Sequence, residues 1–427
     1  MKSLVRDEKL AGEGLKELEW AEENMPLLRE IKKRFEKEKP LRGLVIGTCL
    51  HLEKKTGILL RTLKAGGARI AATSCNPLTT DDRVAAALAR EMSVFAWAGE
   101  TDREYYANIK RVLDEKPNIV IDDGCDQIFA LHTKRRNLLP NIIGGCEETT
   151  TGVTRLRAME RDRKLEFPVV AVNNAYSKYL FDNRFGTGQS TVDALMRVTN
   201  KLIAGKTVVV AGFGSCGRGI ADRLGGMGAN VIITETAERL GEGPSGLHKA
   251  LEALYSGFRV IDMARAAGEG DIFITATGGK NILTRAHFDK MKDGALLANA
   301  GHFNVEIDIP ALEKISKKRE TVKENLERFT LKNGKKIFLI SEGRLLNLAR
   351  PSGQGHPIEI MDGSFAIQAL CAEHLAKNRG KLRAGVHDVP QNIDDEVAGM
   401  ALLSQGIKLD KLTEEQKKYA RSWEEGT

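Results

Sequence analysis

Short apolar runs alternate with stretches of helical period along most of this chain, and the alternation restarts once. Near the N-terminus, 13–24 is amphipathic, and Pro26 opens a second helix whose Leu27, Ile31 and Phe35 share one face. Strands are predicted at 43–47, 69–73, 93–97, 118–122 and 168–172, with helical patterns between them. A helix over 189–203 bridges to a second series: a strand at 208–211, a helix at 218–227, then strands at 230–235, 271–275 and 295–298. The segment 329–338 reads as a hairpin, because Asn333-Gly334 suits a type I′ turn. The chain then returns to the first unit near 356–372 and closes with a polar, helical tail over 409–427. No internal repeat or low-complexity tract interrupts this pattern.

The second series opens on a chemical signature. After the strand come Gly212, Gly214 and Gly217 in G-x-G-x-x-G spacing, with Ser215 and Cys216 between the last two. Gly212 permits the tight turn, Gly214 lets backbone N–H groups approach a pyrophosphate, and Gly217 lets helix pack on strand. The pyrophosphate then meets the positive end of the helix. Glu235 ends the next strand about 20 residues on, where an acid holds a ribose 2′-OH. An acid there repels a 2′-phosphate, so NAD is expected over NADP, although Arg239 lies close by.

The expected fold class is therefore α/β, with two doubly wound parallel sheets. Residues 1–187, completed by about 354–385, form a substrate domain. Residues 188–353 form a Rossmann NAD-binding domain, and 386–427 a C-terminal oligomerisation tail. A length of 427 residues suits two or three domains. Net charge is +7, but basic and acidic residues are interspersed, which implies a solvated surface and no nucleic-acid partner. No apolar run is long enough for a membrane span and no export signal opens the chain. The six cysteines include no C-x-x-C pair, lie in or beside apolar strands, and read as the reduced thiols of a cytoplasmic protein.

Function in doubly wound sheets collects at the C-terminal strand ends, and polar motifs stand there. They are His51, Ser74-Cys-Asn-Pro77, Asp122-Asp-Gly-Cys-Asp126, Glu147-Glu-Thr-Thr-Thr151 and Asn173-Asn174. Each has a structural reading: Asp122 and Asp123 could cap a helix, Thr149 to Thr151 could close a turn, and His302 could be a core imidazole. Lys178 and Asp182 fall at i, i+4 on one helical face, as a salt bridge would. A lysine beside a nicotinamide cation could instead have a lowered pKa and act as a base.

Together with Val94-Phe-Ala-Trp-Ala-Gly-Glu100, Phe181-Asp-Asn183, Asn299-Ala-Gly-His-Phe-Asn-Val-Glu-Ile-Asp308, Gly355-His-Pro357 and Leu412-Thr-Glu-Glu-Gln416, these motifs resemble the S-adenosylhomocysteine hydrolase family. They run through nearly the whole chain in the family's order. The resemblance implies reversible hydrolysis of S-adenosyl-L-homocysteine to adenosine and homocysteine, with tightly bound NAD. The ribose 3′-OH is oxidised to a ketone, which acidifies C4′–H so that homocysteine leaves by elimination; water adds at C5′, and the ketone is reduced again. The cofactor is restored each cycle.

By the same resemblance, Lys178 and Asp182 serve the 3′-oxidation and Glu148 holds the ribose hydroxyls. Asp123 and His51 move protons at C4′ and C5′, and His302 assists the leaving sulfur or incoming water. Thr149, Thr150, Thr151, Asn183, Thr277, Gly278, Asn299, Ala300, Gly301 and Asn347 line the cofactor with the glycine loop and Glu235. His356 gates the entrance beside cofactor and substrate, and Met361 and Phe365 lie near the base. A small-molecule substrate, a homo-oligomer (tetramer or dimer), no membrane partner and no metal complete the expectations, with a place in the methyl cycle of one-carbon metabolism.

This chain departs from the family in several places. Cys125 stands where a second glycine is common, and Thr187 replaces a cysteine, as in the shorter archaeal-type branch. Extra residues occupy 241–246, the loop 350–354 is longer than usual, and the family's longer tail has no counterpart after Ser422. In many relatives the first histidine is followed by Thr two residues on and by Gln four residues on; here Glu53 and Lys55 stand at those places. A lysine only donates, so it suits the C6 carbonyl of hypoxanthine, and S-inosyl-L-homocysteine is the alternative substrate. If Lys55 instead pairs with Glu53 or Glu100, or points to solvent, the base is read by backbone groups and adenosine remains. The rivals of another class are an NAD-dependent hydroxy-acid dehydrogenase, which needs an arginine for a carboxylate, and a non-catalytic NAD-binding regulator.

Overall fold

Sixteen strands form two eight-stranded sheets in the computed structural model, which describes residues 3–238 and 243–424. Arg239 and the first two residues of the 241–246 stretch lie outside the described residues. The first sheet uses β1 (Leu4–Val5), β2 (Val45–Cys49), β3 (Arg69–Thr73), β4 (Ser93–Ala96), β5 (Ile119–Asp122), β6 (Gly144–Glu147) and β7 (Pro168–Ala171). The second uses β8 (Thr207–Ala211), β9 (Asn230–Thr234), β10 (Arg259–Val260), β11 (Ile272–Thr275), β12 (Ala295–Asn299), β13 (Ser316–Lys323), β14 (Leu326–Leu331) and β15 (Lys336–Ile340). A last strand, β16 (Gly385–Asp388), returns to the first sheet and pairs in parallel with β7.

Strand order is β1-β4-β3-β2-β5-β6-β7-β16 in one sheet and β10-β9-β8-β11-β12-β15-β14-β13 in the other. Pairing is parallel everywhere except on the two sides of β14. Each sheet therefore reverses its winding once, between β2 and β5 and between β8 and β11. Ligands bind α/β sheets in the crevice outside such a reversal. Helices cover both faces, which is why the central strands are continuous apolar runs: Val208, Val209 and Val210 are all fully buried.

The expected strands all form, with ends shifted by up to two residues. Four sequence readings need correction. Five strands were not predicted: β1, β6, β10, β13 and β16. Gly144-Gly-Cys-Glu147 is short and glycine-rich, and β13 is strongly charged, so neither carries an apolar pattern. The expected boundary at 386 falls inside β16, and Ile393 and Val397 of helix Gln391–Ser404 belong to the first hydrophobic core. Among the described residues of the expected tail only Glu414–Tyr419 is helical beyond that helix, and it buries none of its residues. The 329–338 hairpin exists, but its turn is not type I′: Gly334 has φ 91° while Asn333 is not among the positive-φ residues, and the Asn333 side chain accepts from Lys335 N at 3.0 Å.

Candidate functional site

Both reversal points carry the polar motifs. Beside β2 and β5, His51 and Asp123 meet His302, which the loop after β12 brings across from the second sheet. His51 Nε2 lies 3.5 Å from Asp123 Oδ2, and His302 Nδ1 lies 3.6 Å from Asp123 Oδ1. The two imidazole centroids are 6.1 Å apart. Cys75 Sγ donates to the same Asp123 Oδ2 at 3.6 Å. Burial pushes the His51 imidazole down to about 4, so it is neutral near pH 7.

A second cluster surrounds Lys178, which is 4% exposed. Its ammonium lies 3.4 Å from Glu148 and 3.4 Å from Asp182, and donates to Asn183 Oδ1 at 2.8 Å. Burial alone lowers the lysine, but Asp182 and Glu148 outweigh it and raise it above the ordinary range. That direction is opposite to the lowered value a free base needs, so a further positive charge is required to release its proton. Burial likewise raises Asp182, yet Lys178 and His356 hold it well below the usual carboxylate range. Glu148 is pushed up to about 7 by burial, against the opposing pull of Lys178. His356 Nδ1 sits 3.0 Å from Asp182 Oδ1, and its Nε2 is 3.2 Å from Thr187 Oγ1. The turn that holds Asp182 and Asn183 is a π-helix, Asp182–Gly186, a form common at functional positions.

The glycine loop has the form a dinucleotide needs. Gly212 has φ 96°, and a Cβ on Gly217 would sit 1.9 Å from Gly212 O, so neither position admits a side chain. A Cβ on Gly214 would meet nothing within 4 Å, which leaves open space against the start of helix Ser215–Gly226. Glu235 reaches back to accept from Phe213 N at 2.5 Å, so the acid stands beside the loop. The fully buried Asn347 donates to Ser190 Oγ at 3.1 Å and leaves Oδ1 without a partner. These features fit NAD.

Lys55, 2% exposed, bonds the Gln354 carbonyl at 2.8 Å and pairs with Glu53 Oε2 at 2.9 Å. Thus the lysine takes the Glu53 partnership weighed from sequence and also ties the start of helix Lys54–Ala65 to the loop before His356. Burial lowers its pKa, with Glu53 opposing.

Several expected residues stand apart from open space. Asn299 is fully buried and saturated: its amide donates to the Gly301, Phe303 and Gly343 carbonyls, and its oxygen accepts from Thr275 and Gly301. It shapes the loop that carries His302. Met361 and Phe365 belong to the first hydrophobic core. Thr150 is exposed and bonds Asn173 at 3.2 Å, whereas Thr149 precedes helix Thr150–Arg161 and donates its N–H to Glu147 at 3.0 Å. Ala300 is buried at the end of β12, and Gly301 leaves no room for a Cβ against Glu306 Oε1. Cys125 adopts φ 67°, the left-handed conformation that a glycine takes more easily.

The structure adds residues that sequence reasoning did not single out. Glu306 accepts from Thr277 N, Thr277 Oγ1 and Gly278 N at 3.0, 2.7 and 2.8 Å, and so fixes the turn after β11. Glu147 joins two strand ends by accepting from Gly124 N at 2.8 Å as well as from Thr149 N. Gln368 donates to Glu148 at 2.5 Å, and Ser364 to Asp182 at 2.7 Å. Asp394 accepts from Tyr176 N at 2.6 Å and Ser177 N at 2.9 Å, immediately before Lys178. The first two stand inside quoted motifs; the other three are remote in sequence and carry no local signal.

The chain is similar to known proteins along nearly its whole length. The family described as S-adenosyl-L-homocysteine hydrolase matches residues 2–141, and its NAD binding domain matches 183–353. A protein of Methanocaldococcus jannaschii named S-inosyl-L-homocysteine hydrolase is 54% identical, covering 99% of this chain and 99% of its own length. The adenosylhomocysteinases of Sulfolobus acidocaldarius and Aquifex aeolicus are 53% and 51% identical, again covering 99% of both chains.

Proposed function

The chain belongs to the S-adenosyl-L-homocysteine hydrolase family, and from that premise we propose that it reversibly hydrolyses S-adenosyl-L-homocysteine to adenosine and homocysteine. The observation that carries the reading is Lys178 held between two buried carboxylates, 3.4 Å from each. Such a lysine serves a hydroxyl, since flanking acids would repel the carboxylate of a hydroxy acid. NAD held by the glycine loop would supply reversible hydride acceptance at the ribose C3′.

Residue roles follow the geometry. The Gly212–Gly217 loop and Glu235 hold the pyrophosphate and the adenosine-side ribose. Asn183, Thr277, Gly278 and Asn347 serve the nicotinamide end, with Glu306 bracing Thr277 and Gly278. Glu148 and Asp182 orient the substrate's ribose hydroxyls, and Lys178 Nζ takes the 3′-OH proton once a positive nicotinamide ring offsets the two acids. Across the cleft, Asp123 links the two imidazoles, which supports proton movement between C4′, the C5′ leaving sulfur and water. His356, tied to Asp182, couples the entrance loop to the oxidising cluster.

The base supports a second reading. Two of the three Lys55 N–H groups are engaged, and the third can donate to a C6 carbonyl, so S-inosyl-L-homocysteine remains a substrate to be measured alongside. Purified protein supplied with each thioether in turn, with homocysteine read by thiol assay, tests the proposal. Release of homocysteine from neither contradicts it.

Two further outcomes arise here. Glu235→Ala is expected to weaken NAD by about 1.5–3 kcal/mol, the usual contribution of hydrogen bonds to a charged group. Unchanged affinity by calorimetry would show that another group holds the ribose. Asp394→Asn is expected to slow turnover by roughly 10- to 100-fold, because the turn bearing Lys178 loses its anchor and small misplacements are costly. A wild-type rate in that variant would show the turn to be held otherwise.

Self-association and a cytoplasmic location belong to the same proposal. Helix Gly246–Tyr255 exposes Leu247, Leu251, Leu254 and Tyr255 on one stripe, which suits a second copy of the chain. Among the described residues no helix is long and apolar enough to cross a membrane.

A further inference from the structure

His302 meets Asp123 without a hydrogen bond to fix it. Its Nδ1 lies 3.6 Å from Asp123 Oδ1, and its ring accepts and donates nothing closer among the described residues. An imidazole placed in that way takes its orientation from close packing. Two neighbours supply the packing. The Phe303 ring stands edge-on to it, with centroids 4.7 Å apart and 77° between the planes. Gly124 is the second, since a Cβ there would lie 2.4 Å from His302 Nε2.

One side chain holds both neighbours. Arg155 stands on the second turn of helix Thr150–Arg161, which follows β6, and β6 pairs with β5. Its Nη1 donates to the Gly124 carbonyl and, at 2.7 Å, to Asp126 Oδ1. Asp126 also accepts from the Tyr105 hydroxyl at 2.9 Å, which fixes the acid end of the pair. The guanidinium carbon lies 5.7 Å from the centre of the Phe303 ring and 5.5 Å from that of Phe129. A planar cation can serve all of these at once, because its edges carry the N–H donors and its faces stack on rings. Asn299 secures the Phe303 carbonyl at 2.9 Å from within the second sheet, and Arg155 adds the hold from the first.

We propose that Arg155 is a positioning residue for the step at the sulfur: it clamps the Phe303 ring and the turn at Gly124 around His302, and so keeps that imidazole against Asp123. Arg155 acts through these neighbours and touches no reacting atom. Lysine would keep the charge but not the planar fork that serves a carbonyl, a carboxylate and a ring together. The effect on turnover rests on the hydrolase reading; the hold on the His302 loop does not.

The test compares NAD-loaded wild type with Arg155→Met, Phe303→Leu, Phe303→Tyr and the Arg155→Met, Phe303→Leu double variant, each checked for folding by circular dichroism. For homocysteine release, kcat should fall by about 10- to 100-fold in Arg155→Met and by about 10-fold in Phe303→Leu, with KM nearly unchanged, because small misplacements are costly. Phe303→Tyr keeps a ring face for the cation and should recover most of the rate. The double variant should be no slower than Arg155→Met, since one contact is lost only once. Reduction of the bound cofactor by adenosine should persist in all four. Hydrogen exchange read by mass spectrometry should quicken over residues 302–305 in Arg155→Met and Phe303→Leu. Unchanged exchange there, losses that multiply in the double variant, a Phe303→Tyr rate no better than Phe303→Leu, or equal loss of cofactor reduction overturns the proposal. The exchange measurement needs no turnover, so its failure and failure of the hydrolase reading are separately visible.

Discussion

Lys178→Met is expected to abolish the absorbance of reduced cofactor that appears when the NAD-loaded enzyme is mixed with adenosine. Methionine fills the same space but cannot take the 3′-OH proton, and general-base assistance is worth about 10²–10⁴-fold. The variant should still fold, because Asp182 keeps His356 at 3.0 Å and Ser364 at 2.7 Å, while Glu148, near 7, can remain protonated beside Gln368. His302→Ala makes the contrasting case. It leaves the oxidising cluster untouched, so adenosine should still reduce the cofactor while release of homocysteine fails. Identical behaviour of the two variants, read by stopped-flow absorbance, contradicts the division of labour between the clusters.

The second large effect concerns purine choice. Lys55 is buried, ion-paired with Glu53 and bonded to the Gln354 carbonyl, so the pair presents both an acceptor and a donor beside the entrance loop. Lys55→Gln removes the charge, frees one Glu53 oxygen and supplies an amide that can both donate and accept. If hypoxanthine is read by the ammonium, the inosine to adenosine ratio of kcat/KM should fall by about 10²-fold or more, because a mismatched site leaves a buried polar group unpaired. If adenine is the substrate, the wild type prefers adenosine and the variant shifts that ratio little. The measurement is synthesis with homocysteine from each nucleoside. A wild type that favours adenosine, with the same ratio in the variant, removes Lys55 from base recognition.

Much of this was legible in the residues because local physics and function coincide there. The run Val208-Val-Val-Ala211 can only be a buried strand, and the glycines that follow are required by backbone clearances the structure reproduces at Gly212 and Gly217. Lys178 and Asp182 share a helical spacing that brought their charged ends within 3.4 Å. What stayed hidden was long-range. Asp394 lies 217 residues from the Ser177 it anchors, and Gln368 lies 220 from Glu148, so no window of sequence contains either pair. β16 escaped because its partner, β7, is equally distant, and a four-residue strand has too few positions to show a period. The raised pKa of Lys178 depends on two acids meeting it at once, which sequence spacing alone could not weigh.

The most direct measurement is the cofactor's own balance sheet. Purified protein should carry NAD and release homocysteine through many cycles with none added, its content of NAD plus NADH unchanged at the end. Free NADH accumulating in step with substrate consumed would contradict a hydrolase that restores its cofactor, and would make the chain a dehydrogenase.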